Sequence, residues 1–111
     1  MEAWAEELNC AVTVCDRDGT ILDMNAKSAR AFADEGGKGL ISKSLFDCHG
    51  PESREKILGL MSRQETNVYT IEKGGKKKLI CQAPWYEQGR FMGLVELSLE
   101  IPFDLPHFRR D

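Results

Sequence analysis

The chain has 111 residues, 41% of them hydrophobic and 30% charged, and this length and composition suit one globular domain. Its formal net charge of −3 gives no general attraction to nucleic acid or to an anionic membrane, and no apolar run approaches the ~20 residues of a membrane-spanning helix. Because the four cysteines are scattered and the N-terminus lacks a secretion signal, the sequence predicts a cytoplasmic protein with reduced thiols.

The first half of the sequence predicts a short helix, a hairpin and a second helix. Residues 2–9 can form a short amphipathic helix. The apolar runs CAVTVCD and TILDMN follow, separated by RDG, which is typical of a tight turn. Asn25 then occupies a helix N-cap position, and Ala26, Ala29 and Phe32 continue at helical spacing up to the glycines of DEGGKG.

The second half predicts another helix and three strands. Pro51 suits the first position of a helix, and Ile57, Leu58 and Met61 are expected on its buried side. The hydrophobic period then becomes two, in NVYTIEK, KKLICQAPWY and RFMGLVELSLEI. Two apolar faces are expected to cover a common core, namely Leu79, Cys81, Ala83 and Trp85, and Phe91, Val95, Leu97 and Leu99. The sequence therefore predicts an α+β fold with one antiparallel sheet of about five strands and short helices over one face.

Three segments carry a family resemblance. VCDRDGTILDMN combines a D-x-x-G hairpin turn with an Asn that opens a helix, LISKSLFDCHGPESREKI sets a short helix before a longer one, and GRFMGLVELSLEI has Gly93 in the last strand. In this order they resemble the PAS family of sensory domains over residues 10–101, with residues 1–9 as an N-terminal helical extension and residues 102–111 as a Pro-containing tail. The resemblance implies a sensory or interaction module, often dimeric and sometimes holding haem, flavin or a metabolite, and not an enzyme.

Cys48 and His49 lie just before the start of a helix, and their thiol and imidazole groups are potential ligands of a cofactor or metal. A c-type haem is excluded because CxxCH is lacking, and zinc would need two distant ligands. In the family the haem-b histidine usually lies inside the helix that begins at Pro51, and residues 52–64 contain none. The reactive cysteine of the flavin-binding LOV branch would fall on Leu45, so haem b and flavin are both disfavoured and the cofactor stays unassigned. We expect a pocket, if one forms, to draw on the following residues: His49, Cys48, Trp85, Tyr69 and Phe91.

Two further segments bear on partners. The lysines of GGKKK are expected to form a solvated hairpin tip that protects a sheet edge, not a nucleic-acid site. Pro102 and Pro106 interrupt the helix through which many PAS domains reach an effector. If the chain is a stand-alone bacterial PAS protein and not one domain of a longer one, it would therefore act as a homodimer or on a partner signalling protein. The expected function is a sensory module with a small ligand in its interior. The alternative is a ligand-free dimerisation module with a filled core.

Overall fold

The computed structural model describes residues 1–111, apart from the side chain of Cys48. In chain order its α-helices and strands are α1 (Ala3–Glu6), β1 (Ala11–Asp16), β2 (Ile21–Met24), α2 (Ala26–Ala31), α3 (Pro51–Arg63), β3 (Asn67–Lys73), β4 (Lys76–Glu87) and β5 (Arg90–Ile101). Three short 3₁₀ turns connect α2 to α3, namely Ala33–Glu35, Gly37–Leu40 and Leu45–Cys48. No helix in the described chain is both long and apolar enough to span a membrane.

The five strands form one antiparallel sheet in the order β2-β1-β5-β4-β3. This confirms the predicted α+β fold. The turn between β3 and β4 is also as expected, because Gly74 and Gly75 both have positive φ, at 60° and 76°, which suits a two-residue hairpin loop. Helix α3, together with the 3₁₀ turns, covers one face of the sheet, and Ile57 and Met61 pack there against Cys15 and Leu94. We call this the inner face.

Helix α3 begins as predicted but buries a different set of side chains. Pro51 occupies its first turn, and Gln64 ends it in the left-handed conformation. The prediction that Leu58 lies on the buried side is wrong, because its side chain is 52% exposed. Leu60 is buried in its place, with Ile57 and Met61, so the stripe follows the i, i+3, i+4 spacing.

The predicted core faces of β4 and β5 are the wrong ones. Cys81 pairs with Leu97 and Ala83 with Val95, so these residues share one side of the sheet, and that side points away from α3. The helix-facing residues are the alternate ones, including Ile80, Gln82 and Leu94, which are buried. We call the opposite side the outer face and define it by six half-buried residues: Val12, Val14, Cys81, Ala83, Val95 and Leu97.

Phe91 lies on the inner face, not with Val95 and Leu97 as predicted. Trp85 pairs with Gly93 and Tyr86 with Phe91, which leaves Met92 as an extra residue in β5. This β-bulge reverses the alternation, so Phe91 packs against the inner cluster that contains Leu94. A period-two pattern read through position 92 therefore assigns Phe91 to the wrong side.

Candidate functional site

A cavity of about 70 Å³ lies between the helical layer and the inner face of the sheet. Its walls are mostly apolar and come from both sheet and helical segments: Ile21, Met24, Phe32, Leu40, Leu45, Ile57 and Leu94. The interior is thus not fully packed. An apolar cavity with a few polar groups is the usual form of a small-molecule site.

Polar side chains cross the inner face in one line, which we call the polar row: Thr13, Glu96, Gln82 and Asn67. Asn67 Nδ2 donates to Gln82 Oε1 at 3.1 Å, and Gln82 Nε2 donates to Glu96 Oε2 at 2.9 Å. All but Asn67 line the cavity. The cross-strand bonds fix the direction of the Gln82 amide and aim a carboxylate at the cavity, while that carboxylate keeps capacity for further donors.

His49 also lines the cavity, at the end of the Leu45–Cys48 turn and just before Pro51. Its Nδ1 lies 2.6 Å from the carbonyl oxygen of Leu45. Because a carbonyl can only accept, Nδ1 carries the proton and Nε2 of the neutral ring is left as an acceptor. His49 therefore both closes the turn and supplies a polar group to the cavity.

The other predicted pocket residues lie elsewhere. Trp85 Nε1 donates to the carbonyl oxygen of Cys15 at 3.0 Å, and Phe91 packs in the cluster beside the cavity, but neither lines it. Tyr69 is 38% exposed, with the ammonium of Lys56 5.3 Å from its ring centre, and its pKa is raised by burial and by Glu96. The side chain of Cys48 lies outside the described part of the chain, so its role stays a prediction.

Sequence reasoning missed the three strand residues that give the cavity its polarity. Thr13, Gln82 and Glu96 each stand between apolar neighbours in a different strand, β1, β4 and β5, and such alternation usually marks a solvent-facing side. The alternation alone would place these residues in solvent, whereas the structure places them on the face that the helices cover.

Cys15 is a buried thiol in the cavity wall, and burial raises its pKa to about 11 from the ordinary 9.0. The thiolate is the reactive form, so the neutral Cys15 thiol is unsuited to nucleophilic chemistry. We expect iodoacetamide at pH 8 to modify the half-buried Cys10 and Cys81 much faster than Cys15 in the folded protein. Peptide mass mapping checks this, with urea-unfolded protein as the control in which all three sites react alike. Preferential labelling of Cys15 in the folded state would contradict it.

The cavity does not fit the larger cofactors. Pockets for drug-sized ligands are commonly about 300–1,000 Å³, whereas this cavity measures about 70 Å³. Neither haem b nor flavin can enter it as the side chains stand. Among the described residues, no three His, Cys, Asp or Glu side chains come together in an arrangement that could hold a metal ion.

Comparisons with known proteins bear on the fold. A family profile described as PAS fold matches residues 5–101. No curated protein matches the sequence. Among solved structures, a C-terminal domain from Streptococcus mutans has a TM-score of 0.71 and 17% identity over 87% of this chain and 79% of that one.

Two further structures share the architecture. The PAS domain of histidine kinase ThkA has a TM-score of 0.65 and 16% identity over 82% of this chain and 98% of that one. The Aer2 receptor from Vibrio cholerae, described as a dual PAS-heme oxygen sensor, has a TM-score of 0.61 and 11% identity over 84% and 95%. At these identities the likeness concerns the fold alone.

Proposed function

The chain belongs to the PAS-fold family, and from that membership we propose that it is a sensory module that binds a small ligand in its interior cavity and signals through protein–protein contacts. The observation that carries the proposal is the polar row, which places Thr13, Gln82 and Glu96 in an otherwise apolar cavity. Buried polar groups lower the stability of a fold unless they are hydrogen-bonded. A ligand in the cavity would form hydrogen bonds with these groups in addition to those they make with one another.

The size and polarity of the cavity describe the ligand. At about 70 Å³ it is roughly half the ~150 Å³ of a cavity that binds benzene, so the ligand has few non-hydrogen atoms. The Glu96 carboxylate accepts a hydrogen bond from Gln82 and has capacity for more, Nε2 of a neutral His49 ring can accept one, and the neutral Cys15 thiol adds no negative charge. We therefore propose a small donor-bearing molecule, such as an amine or an alcohol.

The structural relatives support the sensory part of the proposal. They include the PAS domain of a histidine kinase and a PAS receptor described as an oxygen sensor, so the same fold serves in signalling proteins. The haem of that receptor is not carried over, because the cavity of this chain is too small for it.

The ligand proposal predicts a loss of thermal stability when the ligand is removed. Freshly purified protein is expected to melt on the order of 10 °C above protein that has been unfolded in urea, dialysed and refolded, because ligand at 100 times its Kd adds about 2.7 kcal/mol. The difference should vanish in Glu96→Gln, shrink in His49→Ala and persist in Asp104→Asn, which changes an exposed residue of the tail. Thermal melts by circular dichroism measure it. Equal midpoints before and after refolding of the unsubstituted chain would refute the proposal.

The outer face is the proposed contact surface. Its side chains are apolar and half-buried, and α1 covers only one part of it, where Ala5 is buried while Trp4 is 74% exposed. Exposed Val68 and Leu99 extend the apolar area toward β3 and the end of β5. A broad apolar patch on an isolated domain marks an interaction site, and a flat apolar sheet face is complementary to a second copy of itself. We therefore propose a homodimer, and this face alone would also support the second candidate function, a ligand-free dimerisation module.

Dimerisation through the outer face predicts a change of oligomeric state on substitution. At tens of micromolar, sedimentation of the unsubstituted protein should show a species of two 12.5 kDa chains. Leu97→Glu places a charge in the centre of the outer face and should give monomers, because an unpaired buried charge weakens an interface by several kcal/mol. Leu58→Glu, on the exposed side of α3, is the matched control and should remain dimeric. A monomeric unsubstituted protein would contradict the proposal.

A further inference from the structure

A second, larger pocket of about 480 Å³ forms a groove beside the cavity, between α2 and the β3–β4 hairpin. Thr13, Phe32 and Glu96 line both the groove and the cavity, so the two adjoin. Ile71 and Ile80 add apolar surface to the groove. Its volume lies within the range of small-molecule sites. We call it the basic groove because of the charges described next.

Basic side chains line this groove from both walls. Five are present, two from α2 and three from the hairpin: Lys27, Arg30, Lys73, Lys76 and Lys78. Two carboxylates, Glu96 and Glu100, also line it, so the groove carries five positive and two negative charges, a net +3 in a chain of net −3. Charge of one sign concentrated in a concave site attracts ligands of the opposite sign.

Most of this charge is not neutralised within the chain. Lys76 lies 3.8 Å from Glu100, and Lys27 donates to the side-chain oxygen of Asn9. Arg30, Lys73 and Lys78 make no ion pair with any described residue. The lysine run was expected to be only a solvated hairpin tip. The strand alternation instead brings Lys76 and Lys78 to one side of β4, opposite the basic residues of α2.

We propose that the basic groove binds a small organic oxyanion, that is, a phosphorylated or polycarboxylated metabolite. Cations on two facing walls can contact one ligand that carries several negative charges, and the guanidinium of Arg30 can bind a phosphate or carboxylate through two parallel hydrogen bonds. Phe32, Ile71 and Ile80 provide apolar contact for the carbon skeleton of such a ligand.

The form of the groove favours a small anion over an extended polyanion. Nucleic-acid binding relies on many phosphate contacts along an extended basic surface, whereas here five basic residues line one groove of a chain whose net charge is −3. The inference does not depend on the cavity holding a ligand, because it rests on the groove residues and not on His49 or Gln82. Its failure and the failure of the proposed sensory function are therefore distinguishable.

The test is an NMR titration of the full ¹⁵N-labelled chain with inorganic pyrophosphate and, separately, with citrate, at ionic strength held constant with KCl. We expect saturable shifts of backbone amides in α2 and in residues 71–80, with a Kd below about 1 mM for at least one anion. The Arg30→Gln/Lys78→Gln double variant should bind at least about tenfold more weakly, since a charge-assisted contact is worth about that factor. Arg54→Gln/Lys56→Gln removes the same charge from α3 and should bind as the unsubstituted chain does.

The two anions distinguish the source of the oxyanion. A preference for pyrophosphate supports a phosphorylated metabolite, a preference for citrate supports a polycarboxylate, and equal binding supports a site that recognises charge in either form. Three results would overturn the proposal: shifts that do not saturate, equal weakening in both double variants, or tighter binding of a single-stranded oligonucleotide than of either anion.

Discussion

Replacing Gly93 with alanine is expected to destabilise the domain by about 4 kcal/mol or more. Gly93 has a φ of 152°, a conformation that L side chains rarely adopt, and a Cβ added there would lie 2.0 Å from the carbonyl oxygen of Cys15 and 2.8 Å from the backbone of Asp16. These are backbone atoms of the neighbouring strand β1, so no side-chain rotation relieves the overlap. Backbone strain alone is worth about 1–3 kcal/mol.

Urea unfolding followed by circular dichroism measures the effect. A typical domain is stable by about 5–15 kcal/mol, so Gly93→Ala should lose a large part of its stability or fail to accumulate in folded form. Gly39→Ala is the matched control, because no atom lies within 4 Å of its added Cβ and its φ is not positive. If both variants unfolded at the same urea concentration as the unsubstituted chain, the close approach of β1 and β5 at Gly93 would be disproved.

Replacing Asn25 with alanine should cost about 3–5 kcal/mol, because its fully buried side chain makes four hydrogen bonds. Its Oδ1 accepts from the backbone amides of Val12 and Ser28, each at 3.0 Å. Its Nδ2 donates to the carbonyl oxygens of Ala5 at 2.9 Å and Cys10 at 2.8 Å. Removal breaks all four contacts, so α1, β1 and α2 lose their common anchor, although the carbonyl oxygen of Ala5 still accepts from the amide of Leu8.

A second substitution separates the acceptor contacts of Asn25 from its donor contacts. Asn25→Asp keeps both acceptor contacts but loses both donors, so it is expected to be destabilised as well and to release α1 first. Asn67→Ala removes a half-buried asparagine with one side-chain bond and serves as the control, with an expected loss of about 1 kcal/mol. Hydrogen exchange of the Ala5 and Leu8 amides reports on α1. A loss below about 1 kcal/mol for Asn25→Ala would show that these four bonds do not anchor the fold.

Local signals in the sequence predicted local structure well. The N-cap at Asn25 follows from a polar residue immediately before a helical repeat, and the start of α3 follows from Pro51. The other three hydrogen bonds of Asn25 could not be predicted, because they reach β1 and α1, which are 13 to 20 residues away. These three bonds depend on tertiary packing, and no pattern in the neighbouring residues indicates them.

The sequence pattern does not determine which face of the sheet the helices cover. Alternation assigns Leu97 and Glu96 to opposite faces but does not say which face the helices cover, and the usual rule that the apolar face is covered gives the wrong answer here. The bulge at Met92 is likewise invisible, since an extra residue in a strand has no signature of its own. The choice of face concealed the polarity of the cavity, whereas the bulge misplaced only Phe91.

Strand β5 connects the cavity to the outer face, so ligand binding at one face can affect the other. Glu96 lines the cavity, while its neighbours Val95 and Leu97 lie on the outer face. A ligand that donates to the other oxygen of the Glu96 carboxylate adds a contact beside its bond with Gln82, and we expect this added contact to shift β5 against β4. Such a shift alters the outer face directly, because neighbouring residues of one strand cannot move independently.

Native mass spectrometry of freshly purified protein tests the central claim most directly. We expect the 12.5 kDa chain to carry an additional small-molecule mass that mild collisional activation removes, and we expect this mass to be lost in Glu96→Gln and retained in Asp104→Asn. A spectrum of the unadorned chain from every preparation, unchanged by Glu96→Gln, would contradict the claim that the polar row serves a ligand.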